Sequence, residues 1–352
     1  MEIYVLDRNL NILDVISTYE AIIWTPKVNE PGTFKAEFVF SPKYNCTLTR
    51  GNLLYKTDEE EAGIIKRVLK KLDKTGRETL IVSGYMTGKY LSQRIIWNKM
   101  LMKGTYEDLM RQMVYEQIIN PSDSSRKMPM IELGDYHGYS SDVIEKQITY
   151  DNLQEALTDL SNLSELGYRL RLDFEAKKYF FEVYRGADRT RDSEHPCVFS
   201  RERNNIYSQN YSEDDNNFKN VCLVGGPGED ENRILRTVGS GEGFDRYEMF
   251  YNAVSYSDKD ITADELNAQL DQKGREKLAQ YYVAKAFDSK INQSKAPFYR
   301  LGDYVTVYDK KWNTYLDTQI KSIEKGLSKK EDSTIITFGD GIPTLIQLIK
   351  KG

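Results

Sequence analysis

Histidine and cysteine, which supply most metal sites and many catalytic nucleophiles, are scarce in this sequence. The 352 residues include two histidines, His137 and His195, and three widely separated cysteines, Cys46, Cys197 and Cys222. The segment His195-Pro196-Cys197 brings two possible ligands together, but zinc needs three or four and the sequence offers no others nearby. An odd number of distant cysteines is not typical of a disulfide framework. We therefore expect no metal site, no cofactor and no Cys–His catalytic pair.

Glycine-rich and acidic segments are the remaining candidates for ligand binding. The loop Gly225–Gly228 follows an apolar run, but the acidic residues 229–231 come next, and three carboxylates repel phosphate. This loop is therefore interpreted as a hairpin loop, and Gly239–Gly243 as a mobile connection. Residues Ser212–Asn217 carry oxygen ligands without the spacing of a calcium loop, which indicates a solvated turn. No catalytic, cofactor-binding or metal-binding residue is predicted.

A cluster of basic residues lies on one predicted hairpin and could suggest nucleic-acid binding. Asp73 and Glu78 interrupt the cluster, and no aromatic residues alternate with the basic ones to stack on nucleotides. We therefore expect a solvated hairpin or a contact between subunits. The cluster consists of Lys66, Arg67, Lys70, Lys71, Lys74 and Arg77.

Length and composition indicate a multidomain globular protein. At roughly 100–200 residues per domain, the chain has room for two or three domains, and 25 Tyr and 13 Phe provide packing material. The 49 basic and 54 acidic residues give a net charge of −5, which argues against coating nucleic acid through the overall field. No apolar run approaches the roughly 18 residues that cross a bilayer, so we expect no membrane insertion. The N-terminus lacks the basic segment of a signal peptide, which predicts synthesis in the cytoplasm.

The elements that must position these residues begin with a β-rich domain over residues 1–92. Apolar and polar residues alternate from Phe34 to Phe40, which predicts a strand with one buried face. Turn-forming residues separate further apolar runs, and consecutive hairpins of this kind build antiparallel sheets. The other predicted strands are Glu2–Leu6, Leu10–Ile16, Leu53–Thr57, Ile64–Leu72 and Glu78–Tyr85.

Residues 93–200 are predicted to form an inserted small α+β domain of two helices and a hairpin. Thr105 is the expected N-cap of the first helix, which should end at Asn120-Pro121. The second helix carries leucines at helical spacing, and Gly167 is its expected C-terminal stop. The predicted hairpin strands are Tyr168–Phe174 and Tyr179–Tyr184.

Residues 201–345 are predicted to form a second β domain with one long helix, followed by a tail over residues 346–352. A capping box at Thr262–Glu265 opens the helix, which is expected to span residues 262–288. We expect its apolar stripe to pack on the second β domain: Leu266, Leu270, Leu278, Tyr281 and Tyr282. The predicted strands are Tyr207–Tyr211, Asn220–Val224, Met249–Tyr256, Tyr304–Tyr308, Leu316–Lys325 and Thr334–Phe338. The fold class is therefore α+β and β-rich, and the sequence shows no repeat of 20–50 residues.

Five segments, taken in order, resemble the baseplate hub or tail-tip proteins of Gram-positive siphophages and prophages, which are related to the T4-type tail hub. The order and spacing of these segments together carry the resemblance, which spans about residues 1–345. The segments are Trp24–Phe40, Ile64–Ile96, the turn Arg185-Gly186-Ala187-Asp188-Arg189, Asn204–Gly226, and Gly243–Phe250 with Ala253.

The resemblance implies a structural protein that forms a homotrimer. Each subunit would carry two tail-tube-like antiparallel β domains, so that three copies form a six-fold-like ring that caps the tube and adapts six-fold to three-fold symmetry. Implied partners are other tail and baseplate proteins (distal tail protein, tube and tape measure). DNA would pass transiently without specific binding. We accordingly expect a neutral or acidic channel wall, with the acidic turns Asp58–Glu61 and Glu213–Asp215 as candidates for its wall or rim.

Two other functions stay open at this stage. Many relatives of this kind carry a C-terminal lysin, peptidase or receptor-binding module, whereas this sequence ends at Gly352. We therefore expect the hub part alone and no enzymatic activity. The main alternative is a cell-wall glycosidase or peptidase, because 54 acidic residues leave room for a carboxylate pair across a cleft. A glycan-binding module with exposed aromatic platforms is the third possibility.

Overall fold

A computed structural model describes residues 2–139, 143–253, 262–281, 283–329 and 331–339. The chain divides into two compact units, which are described separately. Unit 1 contains residues 2–210 and 287–339, and unit 2 contains the described part of residues 211–286. Unit 1 is dominated by largely antiparallel sheets and unit 2 contains one mixed sheet with a helix, which confirms the predicted β-rich α+β class. Within the described ranges, no helix is long and apolar enough to cross a membrane.

The N-terminal part of unit 1 is a run of antiparallel hairpins, as predicted. Phe34, Ala36 and Phe38 point into the core beside Trp24 and Val82, while the residues between them are more exposed. This confirms the period of two in that strand. The elements are β1 (Ile3–Leu6), β2 (Ile12–Ile16), β3 (Ala21–Thr25), β4 (Thr33–Val39), helix α1 (Tyr44–Thr47), β5 (Leu53–Tyr55), β6 (Gly63–Leu72) and β7 (Glu78–Met86).

Two helices and two small sheets follow. Thr105 caps α2 in a capping box with Asp108, as predicted. The predicted helix stop at Gly167 is wrong: Glu165 ends α3 in the left-handed conformation, and Gly167 already begins a strand. A Cβ at Gly167 would lie 2.4 Å from the Tyr184 ring, so glycine is needed there for close strand packing. The elements are β8 (Met100–Gly104), α2 (Tyr106–Val114), β9 (Ile131–Leu133), β10 (Ile144–Ile148), α3 (Leu153–Ser164), β11 (Gly167–Asp173) and β12 (Lys178–Tyr184).

Unit 2 is a three-stranded sheet with one helix packed on it. The capping box of Thr262 and Glu265 is confirmed, but the helix ends at Leu278 and not near residue 288. Leu270 is buried against the sheet, and Leu266 and Leu278 pack there in part. Residue 282 and the end of the predicted strand 249–256 lie outside the described residues. The elements are β16 (Val221–Gly225), β17 (Leu235–Gly239), β18 (Glu248–Asn252) and α4 (Ala263–Leu278).

The chain segments before and after unit 2 contribute strands to the large sheet of unit 1. Residues that we expected to be helical up to 288 are instead in β19, where Phe287, Ser289 and Ile291 are buried and the residues between them are not. That alternation is a strand signal that the helix prediction overlooked. The elements are β13 (Asp188–Arg189), β14 (Val198–Phe199), β15 (Ile206–Asp214), β19 (Ala284–Ile291), β20 (Tyr304–Asp309), β21 (Thr314–Ser328) and β22 (Ser333–Gly339).

The strands of the large sheet follow one continuous path. Its order is β15-β19-β22-β21-β3-β4-β7-β6-β5-β1-β2, with β20 beside β21 and β13 and β14 beside β20. Chain segments from both ends of the sequence therefore lie side by side, and β3 pairs antiparallel with β21 where they meet. The predicted division into three domains at residues 92 and 200 stays a prediction.

Candidate functional site

The structure does not bring the sparse histidine and cysteine side chains together into a reactive site. His195 is exposed, whereas Cys197 is buried, and burial raises the pKa of its thiol to about 12. A thiol with so high a pKa is a poor nucleophile at neutral pH. Within the described ranges, no group of three or more His, Cys, Asp or Glu side chains is arranged to hold a metal ion.

The glycine-rich segments have structural roles. The loop at Gly225–Gly228 connects β16 to β17 in an antiparallel hairpin, as predicted. In the turn that resembles the hub family, a Cβ at Gly186 would lie 1.8 Å from the carbonyl oxygen of Gly302. Asp303 secures the same contact, since its carboxylate accepts hydrogen bonds from the Ala187 backbone and from Arg189, each at 2.9 Å. The Arg185–Arg189 turn is therefore fixed to the β20 region by close backbone packing and a buried carboxylate.

The acidic turn between β5 and β6 has two buried carboxylate side chains, Glu59 and Glu61, and two exposed ones, Asp58 and Glu60. Glu59 is buried with Lys56, 3.3 Å away, and it also pairs with Lys325 of β21 at 2.8 Å. Glu61 is buried, and its Oε1 accepts hydrogen bonds from the Gly88 backbone at 2.8 Å and from the Leu170 backbone at 3.3 Å. Glu59 and Glu61 bind the protein's own groups, and the expectation that this turn lies at the wall or rim of a channel stays a prediction.

An open groove of about 970 Å³ lies beside this turn, within unit 1. Among the residues that the structure describes, its wall carries acidic and basic side chains but no His, Cys or Ser. Burial disfavours the charged form of Glu61 and raises the pKa of its carboxyl group to about 7. Its Oε1 also accepts a hydrogen bond from the Thr87 hydroxyl, at 3.3 Å. With three protein donors on that oxygen, Glu61 connects three chain segments.

The large sheet contains a structural repeat that the sequence did not reveal. The first repeat consists of β3, β4, β6 and β7, and the second consists of β15, β19, β21 and β22. The strand order is β3-β4-β7-β6 in the first repeat and β15-β19-β22-β21 in the second, so corresponding strands have corresponding neighbours. A further strand precedes the hairpin in each case and pairs antiparallel with its first strand, β5 with β6 and β20 with β21.

The long hairpins of the two repeats match in detail. In the first, the register between β6 and β7 shifts between Ile65 and Arg67. In the second, the register between β21 and β22 shifts between Ile320 and Ser322. Counted from these bulges, Lys70 corresponds to Lys325 and Leu72 to Leu327. Bulges bend and twist a hairpin, so both hairpins have the same local deformation at the same place.

The two repeats differ in what lies along their hairpins. Ala21–Trp24 of β3 pair with Lys325–Ser328 of β21. Of the described strands, only β7 accompanies β6 beyond Ile65. An open groove of about 510 Å³ lies there instead, between the α1 region and the outer side of β6. The first repeat therefore has an open strand edge where the second repeat has a paired one.

Comparisons with known proteins agree on one class of protein. A family model described as Siphovirus ReqiPepy6 Gp37-like protein matches residues 2–340. A sequence search of curated proteins finds no match.

Solved structures with the same fold include three tail proteins. The 43 kDa tail protein of prophage MuSo2 from Shewanella oneidensis is 13% identical, with 96% of this chain and 98% of that chain covered and a TM-score of 0.57. The tail protein from Neisseria meningitidis MC58 is 14% identical, with 96% of each chain covered and a TM-score of 0.59. Prophage tail protein gp18 from Listeria monocytogenes EGD-e is 14% identical, with all of both chains covered and a TM-score of 0.54. At these identities, the likeness shows a shared fold.

Proposed function

The chain belongs to the Siphovirus ReqiPepy6 Gp37-like protein family and is a phage tail protein, and we propose that it is the baseplate hub or tail-tip subunit. In this proposal, three copies form a ring that closes the distal end of the tail tube. The ring adapts a six-fold tube to a three-fold tip and lets DNA pass without binding it specifically. Other tail and baseplate proteins, among them the distal tail protein, the tube and the tape measure, would be its partners.

The repeat in the large sheet is the observation that carries this proposal. A ring of three identical chains has six equivalent positions only if each chain supplies two similar units. The first and second repeats have the same strand neighbours, the same bulge and the same additional strand before the hairpin. They suit two tube-like halves of one subunit, joined through β3 and β21. The three similar solved structures are all tail proteins, and this supports the same class of function.

In this proposal the protein acts by binding partners and not by catalysis. The tail location follows from its membership of the family. The groove beside the turn between β5 and β6 is the place where a cell-wall hydrolase would need a free acid. Glu61, its most perturbed carboxyl group, already accepts hydrogen bonds from the protein, and this supports a structural role.

Mass in solution tests the proposal directly. One chain has a mass of 40.8 kDa, so light scattering of the full-length protein should give about 122 kDa at high protein concentration. Obligate interfaces of this kind bury about 2,000 Å² or more in total. Such an interface should keep the trimer together on dilution to the micromolar range. A protein that stays at 41 kDa over that range contradicts the ring.

A further inference from the structure

We propose that the outer edge of β6, residues Arg67–Leu72, is the seam at which one copy of this chain binds the next. Its partner is strand β15, Ile206–Asp214, in a second copy. This inference rests on the proposed ring and specifies which strands join its subunits. Within one chain, β3 of the first repeat pairs with β21 of the second, and we call this pairing the internal junction. The proposed pairing between two chains, the external junction, follows the same pattern.

The internal junction joins the first strand of one repeat to the third strand of the other. Here β3 of the first repeat lies antiparallel to β21 of the second, with Ile22 opposite Leu327 and Trp24 opposite Lys325. The strands that correspond to these two are β15 and β6. Both lie at positions where their own chain leaves an edge open: in the described structure, β15 ends the sheet beside β19, and β6 lacks an outer neighbour beyond Ile65. A second junction of the same kind must therefore join two different chains.

Backbone groups on the outer edge of β6 are oriented for such a junction. The Asp73 N–H donates to the Arg77 carbonyl at 3.0 Å and closes the hairpin to β7. Because hydrogen-bonded and non-bonded pairs alternate along an antiparallel ladder, the N–H and C=O groups of Lys70 and Leu72 point away from β7. Lys325 and Leu327, the residues that face β3, occupy the same positions in the second repeat.

The groove beside β6 has room and charge for a strand of this composition. Its walls include Tyr44 and Leu48 on one side and Arg67, Val68 and Lys70 on the other. Strand β6 carries the basic residues Arg67, Lys70 and Lys71, whereas β15 ends in Glu213 and Asp214. In an antiparallel pairing, the acidic end of β15 meets the start of this basic edge. Opposite charges across an interface favour one partner and one register.

The register can be derived from the contacts of β15 and β19. The Asn292 N–H donates to the Asn205 carbonyl at 3.0 Å, and Lys285 pairs with Glu213 at 2.9 Å, so these two strands run antiparallel. Asp288 of β19 in turn accepts a hydrogen bond from Thr337 of β22. When this pairing is followed strand by strand across the second repeat, Ser208 of β15 occupies the position that Ile22 of β3 occupies in the first repeat. Leu72, which is 70% exposed, should therefore lie opposite Ser208 of the neighbouring copy.

A seam of this kind is head-to-tail, because it joins two different edges. Such contacts build a closed ring when the rotation between copies closes, and an open filament when it does not. The internal junction already imposes one rotation between adjacent repeats. Three copies close if the rotations at the internal and external junctions together amount to one third of a turn.

Cysteine cross-linking tests the seam in the full-length chain. The background is Cys46→Ser, because Cys46 is exposed while Cys197 and Cys222 are buried. Leu72→Cys and Ser208→Cys together should, on oxidation or with a short bismaleimide, convert the protein to a band at three chain masses on a denaturing gel. Each single variant should give no such band, and a mixture of the two single variants should give a dimer band. Leu13→Cys with Ser208→Cys is the matched control, because Leu13 is 41% exposed on β2, at the other edge of the sheet.

The outcomes separate the seam from the ring. A 122 kDa particle that cross-links through residues 72 and 208 supports both. A 122 kDa particle that cross-links only in the Leu13 control, or in neither pair, overturns the seam and leaves the hub proposal standing. A protein that is monomeric at every concentration and does not cross-link overturns both.

A charge swap provides a second test that does not depend on cross-linking geometry. The register predicts that Arg67 of one copy lies beside Glu213 of the next. Arg67→Glu should weaken trimer formation at least tenfold, and Glu213→Arg in the same chain should restore it. Lys74→Glu, at the tip of the hairpin, changes the net charge equally and should leave the trimer unchanged. Absence of rescue, or equal weakening by Lys74→Glu, contradicts the pairing.

Discussion

The most specific stability prediction concerns the buried carboxyl group of Glu61. The carboxyl group is buried where the turn before β6 meets the 3-10 helix that begins at Thr87 and strand β11. Burial raises its pKa to about 7 from an ordinary value of 4.5, although the backbone N–H groups of Gly88 and Leu170 and the charge of Arg169 partly oppose the shift. Replacing the group with an amide, Glu61→Gln, removes the ionisation and keeps an acceptor oxygen for these donors.

The direction of the pH effect follows from the sign of the shift. A carboxyl group with a raised pKa prefers to be protonated in the folded state, so it favours folding most below pH 4.5. That contribution is lost as the pH rises through about 7, because folding then requires burial of a carboxylate. A shift of about 2.5 pKa units corresponds to about 3 kcal/mol at most. The free energy of unfolding of Glu61→Gln should therefore gain about 3 kcal/mol relative to the natural chain between pH 4.5 and pH 8.

Urea denaturation at four or five pH values measures this difference. Other carboxyl groups change the stability of both proteins alike, so the difference between the two curves isolates Glu61. Glu60→Gln is the matched control, since Glu60 lies in the same turn and its side chain is 58% exposed. Its difference curve should stay within about 0.5 kcal/mol over the same range. If the free energy of unfolding of Glu61→Gln changes with pH in parallel with that of the natural chain, burial does not raise the pKa of this carboxyl group and the reasoning is refuted.

Three further predictions concern packing, backbone and activity. Leu270→Ala should destabilise unit 2 by about 2–5 kcal/mol in chemical denaturation, and the half-buried Leu266→Ala by clearly less; equal effects would contradict the packing of α4. Gly84→Ala should cost more than about 2 kcal/mol, because the new Cβ would lie 1.9 Å from the Ile64 carbonyl oxygen, whereas Gly76→Ala, in open space at φ +81°, should cost about 1 kcal/mol. The purified protein should release no dye from labelled Gram-positive cell walls, and turnover abolished by Glu61→Gln would show that the groove is catalytic.

Local signals in the sequence predicted most of the elements. The capping boxes at Thr105 and Thr262 and the alternation from Phe34 to Phe40 all correspond to observed structure, because each depends on neighbouring residues alone. The prediction failed where two patterns competed. The predicted helix continues from Leu278 to residue 288, whereas residues 284–291 form a strand in which Phe287, Ser289 and Ile291 alternate with less buried residues.

The features that matter most for function depend on contacts between distant segments. Nothing in the local sequence shows that Glu61 meets Leu170 or that Asp303 holds the Ala187 turn. The structural repeat is not visible in the sequence for a similar reason. Matching strands need only the same alternation and the same bulge position, and many different residues satisfy both. The bulges after Ile65 and Ile320 became comparable only once the pairing of each hairpin was known.

An image of the assembled ring tests the central claim most directly. Single-particle cryo-electron microscopy of the purified full-length protein, or of tail particles that contain it, should show three chains in a closed ring. Six similar hairpins should surround the axis, with those of β6 and β7 alternating with those of β21 and β22. A ring of six chains, an open filament or a dispersed monomer in the purified protein, or its absence from the distal end of the tail, would contradict the account.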